Sequence, residues 1–344
     1  MKVSNIEYNA VEVSDIDLEN DDHCRELGYI VAEKCVVYIN QKVSESRLVD
    51  IQNLWGKPCQ TLMARFLIAK KLGGRHWREI LLYAGYNKLD GVDIKLGGHV
   101  SRVSFEKDKK GRPKGFFTNG ELNWHCDQHA FHDSQRVVGL LSLVETEGSQ
   151  TNFLNTAPSY AALNHEDRSA VDELICVYEW DGGSMCEDLI PEQTLLVRYN
   201  MVPFSGMECP LKDTTAAGVE GIRFPSQCFS HFKGLSSKES LEYKDYLWSK
   251  INKPKNIYQH KWKDGELIFM DQNITLHARP TNVKDGDKRT LCRNISYMDN
   301  LYPEHAPIDH ALLDGKKMPL DEFAVLVDQQ RKSEFQAEHS KMRV

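Results

Sequence analysis

The sequence predicts a mainly β fold with flanking helices. In the middle of the chain, short apolar runs such as Val137–Val144 and Gly265–Met270 are bounded by Gly, Asp, Asn and Pro, which is typical of strands. Helical patterns lie towards the two ends and between the strands. No internal repeat, low-complexity tract or long linker divides the 344 residues, so we expect a single domain over residues 1–344.

The N-terminal part of the chain combines β-prone runs with helical patterns. Tyr29–Ala32 and Cys35–Ile39 are rich in β-branched and aromatic residues, which predicts two short strands. Ser44 can cap a helix that follows them and ends near Trp55. A further helical pattern covers residues 62–81. These helices are expected to pack on the outside of the strands.

Three helical patterns interrupt the strand-rich middle of the chain. They cover about Pro158–Leu163, about Glu166–Leu174 and a segment that starts at Ser236. Ser236-x-x-Glu239 is a capping box, in which each side chain can accept a hydrogen bond from the other residue's backbone N–H. This third helix should stop before Pro254, and the residues expected on its apolar side are Leu241, Leu247, Trp248 and Ile251.

The chain from Pro319 onwards resembles a final amphipathic helix. Phe323, Leu326 and Val327 are its candidates for burial, and a charged tail follows them. We therefore expect a helical C-terminal extension over about residues 319–344.

The charge balance and the N-terminus narrow the class of protein. The chain has 43 Lys and Arg against 50 Asp and Glu, a net charge of −7, so no broad positive surface is available for nucleic acid or an anionic membrane. The N-terminus lacks the apolar run of a secretory signal, and no stretch approaches the ~18 apolar residues of a membrane span. We expect a cytoplasmic protein that binds neither nucleic acid nor membranes.

The cysteines form no recognisable framework. The chain has 9 of them, an odd number, and no two are arranged as C-x-x-C. This pattern argues against a set of disulfides and against a zinc site made of thiolates. We expect the thiols to be reduced.

The segment Trp124–His129 is the most informative in the chain. In an extended conformation His125 and Asp127 point to the same side and Cys126 points away, so an imidazole and a carboxylate can reach one ion. These are two thirds of a 2-His-1-carboxylate site, which binds iron(II) and leaves positions open for a co-substrate and dioxygen. His-x-Asp also occurs by chance in many chains. His277, which follows an apolar strand and a turn, is the candidate for the missing histidine.

Two arginines lie in a later run that alternates like a strand. Arg289 and Arg293 are four residues apart, and an even spacing places both side chains on one face of a strand. The alternative is that this run forms a solvated edge strand. The sequence leaves both interpretations open at this point.

Four ordered blocks of the chain carry a resemblance to a known family. They are Trp124–Asp127, a Gly-containing turn and threonine in Gly148–Phe153, the aromatic before a helix in Tyr160–Leu163, and Trp262 through Asp271 to His277. Over roughly Leu27 to Met298 the chain resembles the taurine dioxygenase-like iron(II)/2-oxoglutarate oxygenases, a branch of the clavaminate synthase-like fold. The resemblance implies a double-stranded β-helix, which is a jelly-roll of the cupin type, with flanking helices.

The resemblance also implies roles for individual residues. His125, Asp127 and His277 would bind Fe(II), while Thr151 would contact one carboxylate of 2-oxoglutarate and Arg289 would bind the distal carboxylate. In taurine dioxygenase-like relatives the arginine four residues later can bind an acidic group of the substrate. This makes Arg293 a substrate-binding candidate, together with Asn123 beside the ligand pair.

The implied reaction is the oxidation of an unactivated C–H bond. As in the family, Fe(II) would be the metal cofactor, and 2-oxoglutarate and dioxygen would be the co-substrates, with release of succinate and CO2. Hydroxylation is the default outcome, and desaturation or ring closure are alternatives. The substrate is expected to be a small carboxylate- or amino-acid-like molecule. Asp127 argues against halogenation, because halogenases of this broad class have a small residue in place of the carboxylate.

Two other functions remain open from the sequence. His125, Asp127 and His129 could bind zinc for hydrolysis, but that set leaves His277, Thr151 and Arg289 without a role. A non-catalytic relative that keeps the fold and the metal site is the other alternative. The sequence does not fix the oligomeric state, so a homo-oligomer is also left open.

Overall fold

A computed structural model of the chain describes most of its residues. The described residues are 1–6, 9–58, 100–104, 121–127, 136–144, 146, 148–179, 207–226, 228–280, 289–305, 310–313 and 316–319. The helix predicted over residues 62–81 lies outside them. So does the C-terminal helix with Phe323, Leu326 and Val327. Of the predicted extension over about residues 319–344 the structure describes only Pro319, the last residue of the strand Lys316–Pro319.

Strands dominate the described part of the chain, as the sequence predicts. In chain order the strands are β1 (Lys2–Ile6), β2 (Ala10–Ser14), β3 (Val36–Ile39), β4 (Ser101–Ser104), β5 (Leu122–His125), β6 (Arg136–Val144), β7 (Gln150–Asn155), β8 (Ile175–Tyr178), β9 (Met207–Pro210), β10 (Lys212–Thr214), β11 (Glu220–Ile222), β12 (Phe229–Phe232), β13 (Ile257–Lys261), β14 (Leu267–Asp271), β15 (Thr275–Arg279), β16 (Thr290–Tyr297), β17 (His310–Leu313) and β18 (Lys316–Pro319).

Two large sheets form the framework. One has seven strands in the order β1-β2-β3-β14-β6-β16-β4, and the other has four in the order β13-β7-β15-β5. Apart from the parallel pair β2–β3, neighbouring strands in both sheets are antiparallel. Smaller sheets are formed by β12-β8-β9, β10-β11 and β17-β18.

A buried apolar layer lies between the two large sheets. Val138 and Leu140 on β6 contact the same cluster as Phe153 on β7 and Trp262 after β13. The alternate residues Val137 and Leu141 of β6 belong to a second cluster on the other face of the sheet. This alternation is what a strand buried on both faces requires.

Five helices with more than one turn flank the sheets within the described residues. They are α1 (Asp21–Lys34), α2 (Glu45–Trp55), α3 (Ala157–Ala161), α4 (His165–Glu173) and α5 (Ser237–Ile251). Two of the predicted N-caps are confirmed, because Ser44 accepts from Arg47 N–H and Ser236 forms a complete capping box with Glu239. Each cap satisfies a backbone donor that the first helical turn leaves open.

Helices α1 and α2 cover the outer face of the seven-stranded sheet. Leu48 and Trp55 of α2 pack into the same cluster as Val137. Gly139 permits this close approach, since a Cβ atom there would lie 2.7 Å from Gln52 Oε1 and 2.9 Å from Leu48 Cδ1. No helix among the described residues is both long and apolar enough to cross a membrane.

The strand predicted at Tyr29–Ala32 is wrong, because these residues lie in α1. Cys24, Leu27 and Val31 are fully buried, and their spacing of three and four residues places them on one side of a helix. Asn20 caps this helix. The helical period of the whole segment therefore outweighs the β propensity of four residues.

One residue of α5 is also placed differently from the prediction. Leu241 is 52% exposed, whereas Leu247 and Ile251 are buried and Trp248 is partly buried against the same cluster. Leu241 is six residues from Leu247, which is about 240° around a helix with 3.6 residues per turn. It therefore lies away from the packed face, while Ser240 takes the buried position.

Candidate metal centre

Two histidines lie opposite each other on neighbouring strands of the four-stranded sheet. His125 at the end of β5 pairs directly with His277 on β15, and the centroids of their rings are 4.1 Å apart. Both side chains are buried. Strand pairing thus brings together two residues that are distant in the sequence.

Asp127 completes a group of three. Strand β5 ends at His125, so the extended conformation considered for this segment does not reach Asp127, which lies in a turn. Its backbone N–H donates to Gln272 Oε1 over 2.7 Å, which fixes the turn against the segment that precedes β15. One ligand atom from each of His125, Asp127 and His277 lies within 4.8 Å of the others.

Cys126, between the two candidate ligands, points away from this group, as strand alternation predicts. Its Sγ contacts the Thr275 carbonyl oxygen over 3.1 Å, and the side chain belongs to the apolar cluster behind the four-stranded sheet. Burial raises the pKa of this thiol, so Cys126 stays protonated and is not a ligand of the same ion.

The protonation states of the three residues suit a cation. His125 Nδ1 lies 2.6 Å from the Asn123 carbonyl oxygen, so Nδ1 carries the proton and Nε2 keeps its lone pair. Burial lowers the pKa of His125 and, with repulsion from His125, that of His277 to about 3. Burial alone would raise the pKa of Asp127, but Arg293 and the two histidines lower it to about 2. At neutral pH the group is therefore two neutral imidazoles and one carboxylate.

Two atoms of the group have no hydrogen-bond partner among the described residues. They are Asp127 Oδ2 and His277 Nδ1, and both are buried. Buried polar atoms are normally satisfied, so these mark a place where the protein alone does not complete the interactions. A 2-His-1-carboxylate set of this kind is the donor set of Fe(II) oxygenases, and the residues fit such an ion.

Arg293 lies against the carboxylate of the group. Its Nη1 is 2.8 Å from Asp127 Oδ1, and its Nε donates to Ser101 Oγ over 2.9 Å. Strand β16 is paired with β6 on one side and with β4 on the other, so the alternative of a solvated edge strand is wrong. The role of Arg293 towards a substrate stays a prediction.

Arg289 contacts the predicted co-substrate residue on the opposite sheet. Its Nη2 donates to Thr151 Oγ1 over 3.0 Å, and Thr151 also accepts a hydrogen bond from Trp262 Nε1 over 2.9 Å. Burial lowers the pKa of Arg289 to about 9, and the neighbouring Arg279 adds repulsion. A carboxylate bound against Arg289 would oppose both effects.

Sequence reasoning missed two residues of this site and left one undecided. Arg279 lies two residues after His277 on β15, and this spacing alone would have placed both side chains on one face. Trp262 was noted only as part of a motif. Asn123 is exposed and contributes its carbonyl oxygen to the position of His125. His129, the alternative zinc ligand, lies outside the described residues.

Comparison with known proteins gives the family. The model of the taurine catabolism dioxygenase TauD, TfdA family matches residues 81–294, which is more than half of the chain. The chain belongs to this family. Membership confirms the resemblance identified in the sequence, and it implies Fe(II), 2-oxoglutarate and dioxygen as the metal and co-substrates.

The individual relatives that match the sequence share only about a quarter of its residues over the matched part. The chain is 24% identical over 181 residues to the alkylsulfatase of Acinetobacter baylyi, a match over 51% of this chain and 56% of the relative. It is 25% identical to pentalenolactone F synthase of Streptomyces arenae, over 52% of this chain and 62% of the relative. The chain thus spans little more than half the length of these two. The chain is also 25% identical to the α-ketoglutarate-dependent 2,4-dichlorophenoxyacetate dioxygenase of Cupriavidus pinatubonensis, over 78% of this chain and 88% of the relative.

Solved structures of the family have the same fold. A taurine dioxygenase from Burkholderia xenovorans matches with a TM-score of 0.60 and 18% identity, over 95% of this chain and 98% of that chain. AAD-2 in complex with Mn(II) and N-oxalylglycine matches with a TM-score of 0.59 and 16% identity, over 86% of this chain and 96% of that chain. The predicted double-stranded β-helix of the jelly-roll type is confirmed.

Proposed function

We propose that this chain is an Fe(II)- and 2-oxoglutarate-dependent dioxygenase that oxidises an unactivated C–H bond of a small carboxylate- or amino-acid-like substrate. The single observation that carries the proposal is the buried His125–Asp127–His277 group beside Arg289 and Thr151. Hydroxylation is the default outcome, with desaturation or oxidative cyclisation as alternatives. For hydroxylation, one substrate molecule, one O2 and one 2-oxoglutarate give the alcohol, succinate and CO2, so that one oxygen atom enters the C–H bond and the other enters succinate.

Each role in the reaction falls to a particular part of the site. His125, Asp127 and His277 would hold the metal, while Thr151 and Arg289 would hold the distal carboxylate of 2-oxoglutarate. When bound, Fe(II) with 2-oxoglutarate supplies the activation of dioxygen. The chain itself binds and orients the reactants: the ion pair with Arg293 keeps Asp127 ionised, and the Asn123 carbonyl keeps His125 in the tautomer that offers Nε2.

Arg293 is the proposed anchor for an acidic group of the substrate. Its contacts to Asp127 and Ser101 use Nη1 and Nε, and neither of them uses Nη2. A planar guanidinium can bind a carboxylate or sulfonate through such a remaining edge. Several relatives are named for anionic compounds, namely taurine, an alkyl sulfate and 2,4-dichlorophenoxyacetate, which supports an anionic substrate. Asn123 is proposed as a second contact.

The domain organisation is part of the proposal. The seven-stranded sheet combines the N-terminal strands β1–β3 with the late strands β14 and β16. A boundary between these segments would cut through one sheet. We therefore assign residues 1–344 to a single dioxygenase domain, with residues 319–344 as a C-terminal extension.

The test of the reaction class is an anaerobic titration with Fe(II) and 2-oxoglutarate. We expect the weak visible charge-transfer band of the metal chelate with the native protein and its loss in His277→Ala. His231→Gln is the matched control, since His231 is a partly buried histidine on β12, outside the three-residue group and its sheet, and the band should persist in it. Absence of the band together with tight zinc binding would favour the hydrolase, and absence of both would favour a non-catalytic relative.

The test of the substrate class uses Arg293→Leu and a panel of anions. Taurine, 2,4-dichlorophenoxyacetate and an alkyl sulfate are each assayed for oxygen-dependent release of succinate above the rate without substrate. For any compound that stimulates the native enzyme, the variant should show a KM raised at least about tenfold, the effect of losing one charge-assisted contact. The affinity for 2-oxoglutarate, measured with Fe(II) in saturating excess because Arg293 also contacts Asp127, should change less than twofold. Equal loss of both would contradict the role given to Arg293.

A further inference from the structure

The hydroxyl of Thr151 is the centre of a small hydrogen-bond arrangement. A threonine hydroxyl offers one O–H donor and two acceptor lone pairs. Trp262 Nε1 donates to Thr151 Oγ1 over 2.9 Å and Arg289 Nη2 donates over 3.0 Å. These two bonds use both lone pairs. The Thr151 hydroxyl therefore has no acceptor site left and can form a further hydrogen bond only through its O–H. The positions of the two donors set the direction of this O–H.

Trp262 is itself held firmly. It is 1% exposed, and its backbone N–H donates to the Ser149 carbonyl oxygen over 2.9 Å, which links it to the turn before β7. The ring of His260 meets the indole edge to face, with centroids 4.5 Å apart. Backbone and side chain thus both tie Trp262 to the segment of Thr151. The indole N–H is fixed before any ligand arrives.

We propose that Trp262 is a positioning residue that makes the Thr151 hydroxyl a fixed donor to the distal carboxylate of 2-oxoglutarate. The proposal rests on the proposed function. A carboxylate only accepts hydrogen bonds when ionised, so a hydroxyl whose lone pairs are already used is matched to it. Without the indole N–H, one lone pair of Thr151 becomes free and the hydroxyl can rotate away from the carboxylate. Trp262 would in this way contribute to selection of a dicarboxylate over a 2-oxo acid with one carboxylate.

The experiment compares two co-substrates in two tryptophan variants. Trp262→Phe removes the indole N–H and keeps an aromatic ring. Trp55→Phe is the matched control, because Trp55 is fully buried and its Nε1 donates over 2.7 Å to the carbonyl oxygen of Cys24, outside the site. Anaerobic Fe(II) protein is titrated with 2-oxoglutarate and with 2-oxobutyrate, which lacks the distal carboxylate, and binding is followed by absorbance and calorimetry.

The expected pattern is specific to the distal carboxylate. Trp262→Phe should weaken 2-oxoglutarate binding about tenfold, the upper range for one neutral hydrogen bond, and change 2-oxobutyrate binding less than twofold. Trp55→Phe should change neither. In a Thr151→Val background, Trp262→Phe should cause no further loss. Equal weakening of both 2-oxo acids, no weakening of either, or an additive loss in the double variant would overturn the proposal.

Two other results each have their own meaning, namely a native protein that binds no 2-oxo acid and a Trp262→Phe variant that does not fold. If the native protein binds Fe(II) but neither 2-oxo acid, the proposed function fails, and the role of Trp262 fails with it. If Trp262→Phe does not fold, Thr151→Ser decides, since the indole and the guanidinium still fix its hydroxyl. Its 2-oxoglutarate affinity should then stay within twofold of native, and a loss as large as that of Thr151→Val would overturn the proposal.

Discussion

Among the described residues, two buried groups combine histidine with a carboxylate, and they differ in how completely the protein supplies their hydrogen-bond partners. The first is the candidate metal centre. The second, which we call the His260 network, consists of Tyr38, Tyr258, His260 and Glu266. In the network, Glu266 accepts from the Tyr38 hydroxyl over 2.8 Å, from Lys263 N–H over 2.6 Å and from His260 over 3.0 Å. Tyr258 completes it by contacting His260 Nδ1 over 2.9 Å.

In the candidate metal centre the protein does not supply all the hydrogen-bond partners. Asp127 Oδ2 and His277 Nδ1 have no hydrogen-bond partner within the described residues, although both residues are buried, like His260 and Glu266. The comparison teaches that residue type and burial do not separate a structural group from a functional one. What separates them is whether the protein supplies all the partners itself.

The largest difference between the two groups should appear on loss of a carboxylate from the metal centre. Changes to residues that only hydrogen-bond to metal ligands already cost about 10- to 100-fold in metal affinity, so Asp127→Ala should weaken Fe(II) binding by about 100-fold or more and abolish turnover. Chelator competition measures the first effect and succinate release the second. Retained hydroxylation in this variant would show that a different carboxylate binds the metal.

The second prediction concerns the pH dependence of the His260 network. Burial lowers the pKa of His260 to about 4, below the ~6.5 of an unfolded histidine. Between these values the unfolded chain binds more protons, so the stability that neutral His260 provides is present above about pH 6.5 and is lost as the pH falls to about 4.

His260→Gln isolates this contribution from the other groups that titrate in the same range. The free energy of unfolding of the native protein, relative to that of the variant, should fall by about 3 kcal/mol between pH 6.5 and 4. Urea unfolding at several pH values measures it. A difference that stays constant with pH would contradict a neutral, buried His260.

The smallest expected effect is that of Glu266→Gln in the His260 network, which should lower stability without lowering metal affinity. Glu266→Gln places an NH2 group against donors that now meet a carboxylate, which should cost about 2 kcal/mol of unfolding free energy and lower Tm by a few degrees. Fe(II) affinity should stay within twofold of native. A loss of metal binding as large as that of Asp127→Ala would mean that the two groups are not independent.

Much of the fold could be predicted because it depends on local signals. The strands β6 and β14 follow from short apolar runs between turn residues, and α2 and α5 begin where Ser44 and Ser236 provide caps. The failures also have a local cause. The run Tyr29–Ala32 is β-prone by composition, but the longer helical period of its segment decides the structure.

The part of the candidate site that is close in sequence was predictable, whereas the contacts between distant segments were not. The pair His125 and Asp127 is close in sequence, and the opposite direction of Cys126 follows from strand alternation. The interpretation of Arg289 and Arg293 stayed open without the family resemblance, because solvated and buried strands share the same alternation. The His260 network was not foreseen, since its members come from β3, β13 and the residue just before β14.

The sequence by itself determined most of the strands and both N-caps, the candidate residues of the ligand set and, through the resemblance, the family. Only the tertiary structure decided that β16 lies between two strands, that Arg293 contacts Asp127, and that Trp262 and Arg289 meet at Thr151. The physical reason is that periodicity and capping act over a few residues. The contacts of the site arise across two sheets, where pairing and side-chain packing between distant segments set the distances.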